Sequence, residues 1–225
     1  MLVFSFWFIS GCADPGGNSN AHDPPAVYPD VPLAVNPEAH YLIYLHGRII
    51  EEQGERPTHP RFGVYEYREI LEVFVARGFM VISERRPAGT DGTAYAAKVV
   101  DQVKRLLAAG VPPEQVTVVG FSKGGGIAIV ASSLLASDRV NFVFMGACAT
   151  WLDSRPEIVP SGRILSLREA SDDLAGSCGS LFLRQTDGGE HIEIVVELGG
   201  GHGAFYRPHP EWIEPLVEWA NPSAV

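Results

Sequence analysis

The chain has 225 residues, of which 46% are hydrophobic and 20% charged, and its formal net charge at pH 7 is -10. This length and apolar content predict one globular domain with a normal core. The negative charge argues against a nucleic-acid partner, because phosphates would repel such a chain, and it favours a soluble body.

The chain begins with a short apolar stretch. Residues 1–9 are too few to span a bilayer as a helix, and they lead through small residues to Cys12. This leader, residues 1–12, resembles a bacterial lipoprotein signal. The resemblance implies that Cys12 is lipidated and that a lipid anchor at Cys12 holds the mature protein on the membrane of the bacterial cell envelope, facing the periplasm or the exterior. An ordinary leader or a chance apolar start is the alternative.

A polar segment comes next, and it is rich in Pro, Gly, Asn and Asp without periodicity. Residues 13–36 are therefore predicted to form an extended, solvated tether. The domain itself is assigned to residues 37–221.

Apolar runs and helical patterns alternate along this domain. The alternation predicts an α/β fold, with a mostly parallel, doubly wound sheet of about six strands and helices on both faces. Side chains with a chemical role then gather at the carboxyl ends of the strands. Strands are expected at about 40–45, 79–84, 115–120, 140–146, 163–168 and 191–198, and helices at 64–77, 93–109, after Gly124 and from Glu211.

The strongest motif is Gly120-Phe121-Ser122-Lys123-Gly124, between a β-branched run and a helical stretch of small residues. The order strand, G-x-S-x-G, helix is the sequence form of a nucleophile elbow, a tight turn that exposes a serine hydroxyl above a sheet. A chance match at the start of a glycine-rich helix is the alternative interpretation.

Two later loops extend this pattern. Asp172 follows the strand predicted at 163–168, and His202 lies in a glycine-rich loop after the strand at 191–198. Ser, Asp and His in this order make the chain resemble the α/β-hydrolase superfamily. The resemblance implies Ser122 as nucleophile, His202 as base and Asp172 as orienting acid, with Asp173 and Glu169 as alternative acids.

The same resemblance implies an oxyanion hole made by backbone N–H groups. One belongs to Lys123, after the nucleophile, and the other to Arg48, in the loop that follows the His46-Gly47 pair. We expect His46 to shape this loop rather than to react. Trp151 and Phe205 are candidate apolar walls beside Ser122.

The function implied is that of a serine hydrolase of carboxylesterase type, acting on a small-molecule ester through an acyl-enzyme intermediate. Too little chain separates the strands near 140–146 and 163–168 for a cap domain, so the α/β-hydrolase fold is expected to lack a cap and to favour short acyl groups. A non-catalytic binding lipoprotein, a peptidase and a thioesterase remain alternatives.

Other chemistries find less support in the residues. No G-x-x-x-x-G-K-[ST] loop occurs, and Ile129 breaks a dinucleotide fingerprint that would start at Gly124. No histidine pair has the spacing of H-E-x-x-H. We therefore expect neither a metal nor a cofactor.

Cys148 and Cys178 are the cysteines that remain after Cys12. The leader implies an oxidising compartment, and in an α/β-hydrolase the strands before the two residues are neighbours. We predict a disulfide between them, with two separate buried thiols as the alternative.

Overall fold

A parallel sheet forms the centre of the domain in this computed structural model, which describes residues 25–186 and 188–221. Of the earlier predictions, the leader 1–12 with Cys12 and the tether segment 13–24 lie outside the described residues. The described strands are β1 Val27–Tyr28, β2 Tyr41–Leu45, β3 Thr58–His59, β4 Gly63–Val64, β5 Met80–Ile82, β6 Val116–Phe121, β7 Asn141–Met145, β8 Arg163–Glu169 and β9 His191–Val196.

Seven of these strands make the main sheet, in the order β1-β5-β2-β6-β7-β8-β9, and every pair in it is parallel. β3 and β4 form a separate antiparallel hairpin. The central strands β2, β6 and β7 are buried along their whole length. Their continuous apolar sequences are typical of parallel strands covered on both faces.

Five of the eight connections between the described strands contain an α-helix. The α-helices of the described chain are α1 Arg48–Gln53, α2 Tyr67–Ala76, α3 Gly92–Ala108, α4 Lys123–Leu135, α5 Gly179–Phe182 and α6 Pro210–Ala220. None of them combines the length and the apolar character needed to cross a membrane.

Helices cover both faces of the sheet, because alternate strand residues point in opposite directions. Val118 packs into one core with α3 and α4, while Val119 packs into the other with α2 and α6. Helix α3 shows the apolar stripe typical of such a helix. Four of its six buried residues follow at spacings of three and four, namely Ala96, Val99, Val103 and Leu106, and Val100 and Gln102 lie beside them.

The predicted α/β, doubly wound architecture is confirmed, with two corrections at its start. The main sheet has seven strands rather than about six, and the extra one, β1, lies in the predicted tether. Val27 pairs with Val81, and Asp30 accepts hydrogen bonds from Gln102 and Arg105 at 2.8 and 2.6 Å. Backbone pairing and these side-chain bonds place residues 25–36 in the domain.

The connection between β7 and β8 is short. Residues 146–162 contain a 3-10 turn at Thr150–Leu152 and neither an α-helix nor a strand. No cap domain is inserted at this point, so the carboxyl end of β6 stays accessible.

Candidate active site

Ser122 lies in the turn between β6 and α4 with φ 54° and ψ -118°. Positive φ is rare for a residue other than glycine and stores strain that the surrounding structure must hold. The N–H of Ser122 donates to Met145 O at 2.9 Å, which fixes the turn to β7. A Cβ at Gly120 would lie 2.2 Å from Gly124 O, and one at Gly124 would lie 1.9 Å from Leu45 O, so the turn requires both glycines.

A line of hydrogen bonds connects this serine to the predicted base and acid. Ser122 Oγ lies 2.8 Å from His202 Nε2, and His202 Nδ1 lies 2.8 Å from Asp172 Oδ2. Since a carboxylate only accepts, Nδ1 carries the proton and Nε2 is free to accept from the serine hydroxyl. The structure thus brings together the three residues that the sequence predicted to form the site.

The carboxylate of Asp172 is held from both sides. Its side chain is fully buried, and Oδ1 accepts from the N–H groups of Leu174 and Ala175 at 2.8 and 3.2 Å. Burial alone would raise the pKa of Asp172, but the bonds from His202 and from these two N–H groups more than offset it and leave the pKa below its ordinary value. Asp172 is therefore poised as a fixed anion behind the imidazole.

The alternative acids lie elsewhere. Asp173 is exposed and accepts from Arg61 at 2.9 Å. Glu169 is fully buried, but its carboxylate accepts from the N–H and hydroxyl of Ser171, both at 2.6 Å, and from the N–H of Gly199 at 2.9 Å. Glu169 thereby joins the loop that carries Asp172 to the loop that carries His202.

Gly146 was not singled out in the sequence, yet the site depends on it. It follows β7 with φ +50°, and a Cβ there would lie 3.3 Å from both Asp172 Oδ2 and His202 Cε1. A side chain would crowd the carboxylate–imidazole pair. The sequence feature that could have indicated this role is the position of Gly146 directly after a buried strand.

The β3–β4 hairpin covers the imidazole and was also missed. Phe62 lies between the two strands, with its ring centre 6.2 Å from that of His202. A Cβ on Gly203 would come within 2.3 Å of Phe62 Cβ, so this contact requires glycine after the histidine. The Phe121 ring, at the end of β6, also packs against His202, with ring centres 4.9 Å apart.

Ser122 opens into a cleft of about 830 Å³. One group of its lining residues is apolar, and a second group, from α1 and the hairpin, includes more polar side chains. Trp151 lines the cleft as predicted, whereas Phe205 is fully buried between Phe121 and Trp212 and Tyr206 lines the cleft in its place. The apolar group consists of Ile127, Val130, Ala147, Ala149, Trp151 and Leu174.

Arg48 and Lys123 are both the first residue of a helix, and both border the cleft beside Ser122. The N–H groups of a first helical turn have no acceptor within their own helix and are oriented outward along its axis. These two backbone positions are suited to receive negative charge that develops on a substrate oxygen.

His46 lies behind this wall and does not border the cleft. Its Nδ1–H donates to Gly47 O at 2.9 Å, and its Nε2 accepts from the N–H of Arg86 at 3.0 Å. Burial and the neighbouring Arg86 lower the pKa of His46 to about 3, so the ring is neutral at physiological pH. The contacts are those of a residue that shapes its loop.

The predicted disulfide is present. Cys148 and Cys178 are bonded, with Cα atoms 5.2 Å apart, and the N–H of Gly176 donates to Cys148 O at 2.7 Å. The bridge ties the loop after β7 to the segment that follows Asp172. It thus anchors the acid loop to the sheet edge at the site.

Comparison with known proteins identifies the architecture. No protein-family model and no curated protein matches the chain. Among solved structures, Arabidopsis thaliana SOBER1 matches with a TM-score of 0.54 at 14% identity, over 82% of this chain and 98% of that one. Esterase PE8 matches with a TM-score of 0.54 at 14% identity, over 86% and 98%.

A putative dienelactone hydrolase from Klebsiella pneumoniae matches with a TM-score of 0.52 at 13% identity, over 84% of this chain and 90% of that one. The chain has the α/β-hydrolase fold. At these identities the likeness establishes the fold alone, and a shared fold does not determine the chemistry of the site.

Proposed function

We propose that this α/β-hydrolase-fold protein is a serine hydrolase that cleaves a carboxylic ester. The observation that carries the proposal is the continuous hydrogen-bond line from Ser122 through His202 to the buried Asp172. It begins at a strained serine in an open cleft and ends at a carboxylate that further N–H groups hold in place.

In this proposal the hydroxyl of Ser122 attacks the ester carbonyl carbon while His202 Nε2 takes its proton. Asp172 keeps the imidazole in the required tautomer and stabilises the imidazolium that forms. The carbonyl oxygen becomes an oxyanion, and the N–H groups of Arg48 and Lys123 donate to it.

The tetrahedral intermediate then collapses, and the bond to the alcohol breaks as His202 returns the proton to the leaving oxygen. Water, activated by the same imidazole, attacks the acyl-enzyme and releases the acid. The cycle needs no cofactor, and its partner is a small-molecule ester.

Direct detection of the acyl-enzyme tests the reaction type. A p-nitrophenyl ester of a short acid is mixed with the protein, and rapid-quench intact-mass analysis follows the acylated species. We expect acylation of the wild type and its loss in His202→Ala, because the serine then has no base. Equal release of p-nitrophenol by the wild type and His202→Ala would contradict the proposal.

We also propose that the protein is a lipoprotein anchored at Cys12 in a bacterial envelope. The support is the apolar leader followed by small residues and cysteine, and stable anchoring would need more than one acyl chain on the processed residue. In a bacterial host, the full chain should fractionate with membranes and Cys12→Ser should not. Equal fractionation of both forms would contradict the anchor.

A further inference from the structure

A buried cluster of charged side chains lies behind the cleft wall. Glu51 Oε1 accepts from Arg86 Nε at 2.8 Å, and Glu51 Oε2 accepts from Lys123 Nζ at 2.5 Å. Only 1% of the Glu51 and Arg86 side chains is exposed, and 19% of Lys123. Because desolvation offsets much of the attraction within a buried ion pair, such a cluster is a poor means of stabilising a fold and suggests a demand for fixed geometry.

The cluster joins the two elements that carry the proposed oxyanion donors. Glu51 lies in the first turn of α1, three residues after Arg48, while Lys123 begins α4. One carboxylate therefore connects the helix of one donor to the residue that supplies the other.

Further bonds fix the cluster to its surroundings. Lys123 Nζ also donates to Thr90 O at 2.7 Å, and the guanidinium of Arg86 donates to His46 O. The carboxylate is thus held by two cations, Arg86 and Lys123, and each cation is fixed in turn by a backbone carbonyl. Helix α1 has only six residues, so these bonds contribute to setting its orientation.

We infer that Glu51 is a positioning residue which, through its bond to Lys123, sets the spacing of the Arg48 and Lys123 N–H groups around the oxyanion. The inference rests on the proposed function, because it concerns the oxyanion site of that reaction. Glu51 itself touches neither substrate nor Ser122 in this account and acts through the two helices.

Lys123→Met tests this with the least disturbance. It removes the ammonium group but keeps the backbone N–H of residue 123 and the Glu51–Arg86 pair. Loss of one oxyanion donor costs about 10²- to 10³-fold in kcat, so a misplaced donor should cost about 10- to 100-fold. KM should change little, because the substrate's ground state does not depend on this alignment.

Two readouts separate positioning from a general loss of structure. An aryl boronic acid forms a tetrahedral, negatively charged adduct with the serine, so its affinity should fall by the same factor as kcat. Lys123→Arg, which keeps a cation toward Glu51, should recover much of both quantities.

Lys98→Met is the matched control. It removes a Lys–Glu pair of the same 2.5 Å length, to Glu84, at a site that does not border the cleft. We expect wild-type kcat and boronate affinity for this variant. Glu51→Gln, checked for folding by its thermal melt, should lose at least as much kcat as Lys123→Met.

The results divide cleanly. Wild-type kcat and boronate affinity in a folded Lys123→Met protein would overturn the positioning role while leaving the proposed hydrolase intact. A loss of kcat and boronate affinity in Lys98→Met equal to that in Lys123→Met would do the same. A wild type that neither turns over esters nor binds the boronate would overturn the proposed function and this inference together.

Discussion

Asp172 and Asp173 are neighbours in the chain, but only the carboxylate of Asp172 reaches His202, at 2.8 Å, while Asp173 bonds the exposed Arg61. We expect Asp172→Asn to keep the fold and to lower kcat by about 10⁴, because an amide facing the ring favours the wrong imidazole tautomer. Kinetics of ester hydrolysis, with folding checked by circular dichroism, measure this change.

Asp173→Asn is the matched control, since it makes the same chemical change one residue away. It should stay close to wild-type kcat, because an exposed ion pair contributes little. A large loss of kcat in Asp173→Asn, together with near wild-type kcat in Asp172→Asn, would contradict the assignment of the acid.

The Cys148–Cys178 bridge should contribute to stability through the chain it encloses. With a sequence separation of 30, its loss raises the entropy of the unfolded state and should lower the free energy of unfolding by about 3–4 kcal/mol. Urea unfolding of the double variant Cys148→Ala, Cys178→Ala against the oxidised wild type measures the difference. If Cys148 and Cys178 both titrate as free thiols in the denatured, unreduced wild type, counted apart from Cys12, the bridge is ruled out.

His46 should make the protein sensitive to mild acid. Its pKa is about 3 in the folded protein and about 6.5 when unfolded, so the unfolded chain binds more protons and stability falls as the pH drops below 6.5. Between pH 8 and pH 5 this residue should cost about 2 kcal/mol of unfolding free energy.

His46→Gln keeps an acceptor but cannot titrate. Urea unfolding at pH 8 and pH 5 should show a loss in the wild type that is about 2 kcal/mol larger than the loss in this variant. Equal losses would mean that the imidazole of the wild type is not held neutral by its surroundings.

Acyl-chain preference follows from the shape of the cleft. No cap lies between β7 and β8, so a long chain would remain largely in water and gain little of the roughly 25 cal/mol per Å² that burial provides. We expect kcat/KM for p-nitrophenyl esters to be highest for acetyl or butyryl groups. A steady increase out to long acyl chains would contradict this expectation.

The sequence predicted what short-range patterns encode. The strands and helices around β6 follow from apolar periodicity, and Gly120, Ser122 and Gly124 follow from the constraints of one tight turn. The proximity of Ser122, Asp172 and His202 was predicted because parallel strands bring their carboxyl ends to one edge of the sheet.

What the sequence did not predict depends on distant partners. Val27–Tyr28 is a strand only because the edge of β5 accepts it, and the stretch around it, rich in polar residues and proline, resembles a linker. The Glu51–Arg86 bond joins residues 35 positions apart, and Phe62 reaches His202 from another part of the chain. Local composition carries no signal for such contacts.

The most direct test of the account is labelling by an active-serine fluorophosphonate probe. The wild type should be labelled at Ser122. Ser122→Ala should lose the label and nearly all ester turnover, with only the low residual activity that the remaining groups of the site support. Ser180→Ala, which changes an exposed serine in α5, should keep both. Labelling or turnover that survives unchanged in Ser122→Ala would contradict the central claim that this serine is the nucleophile.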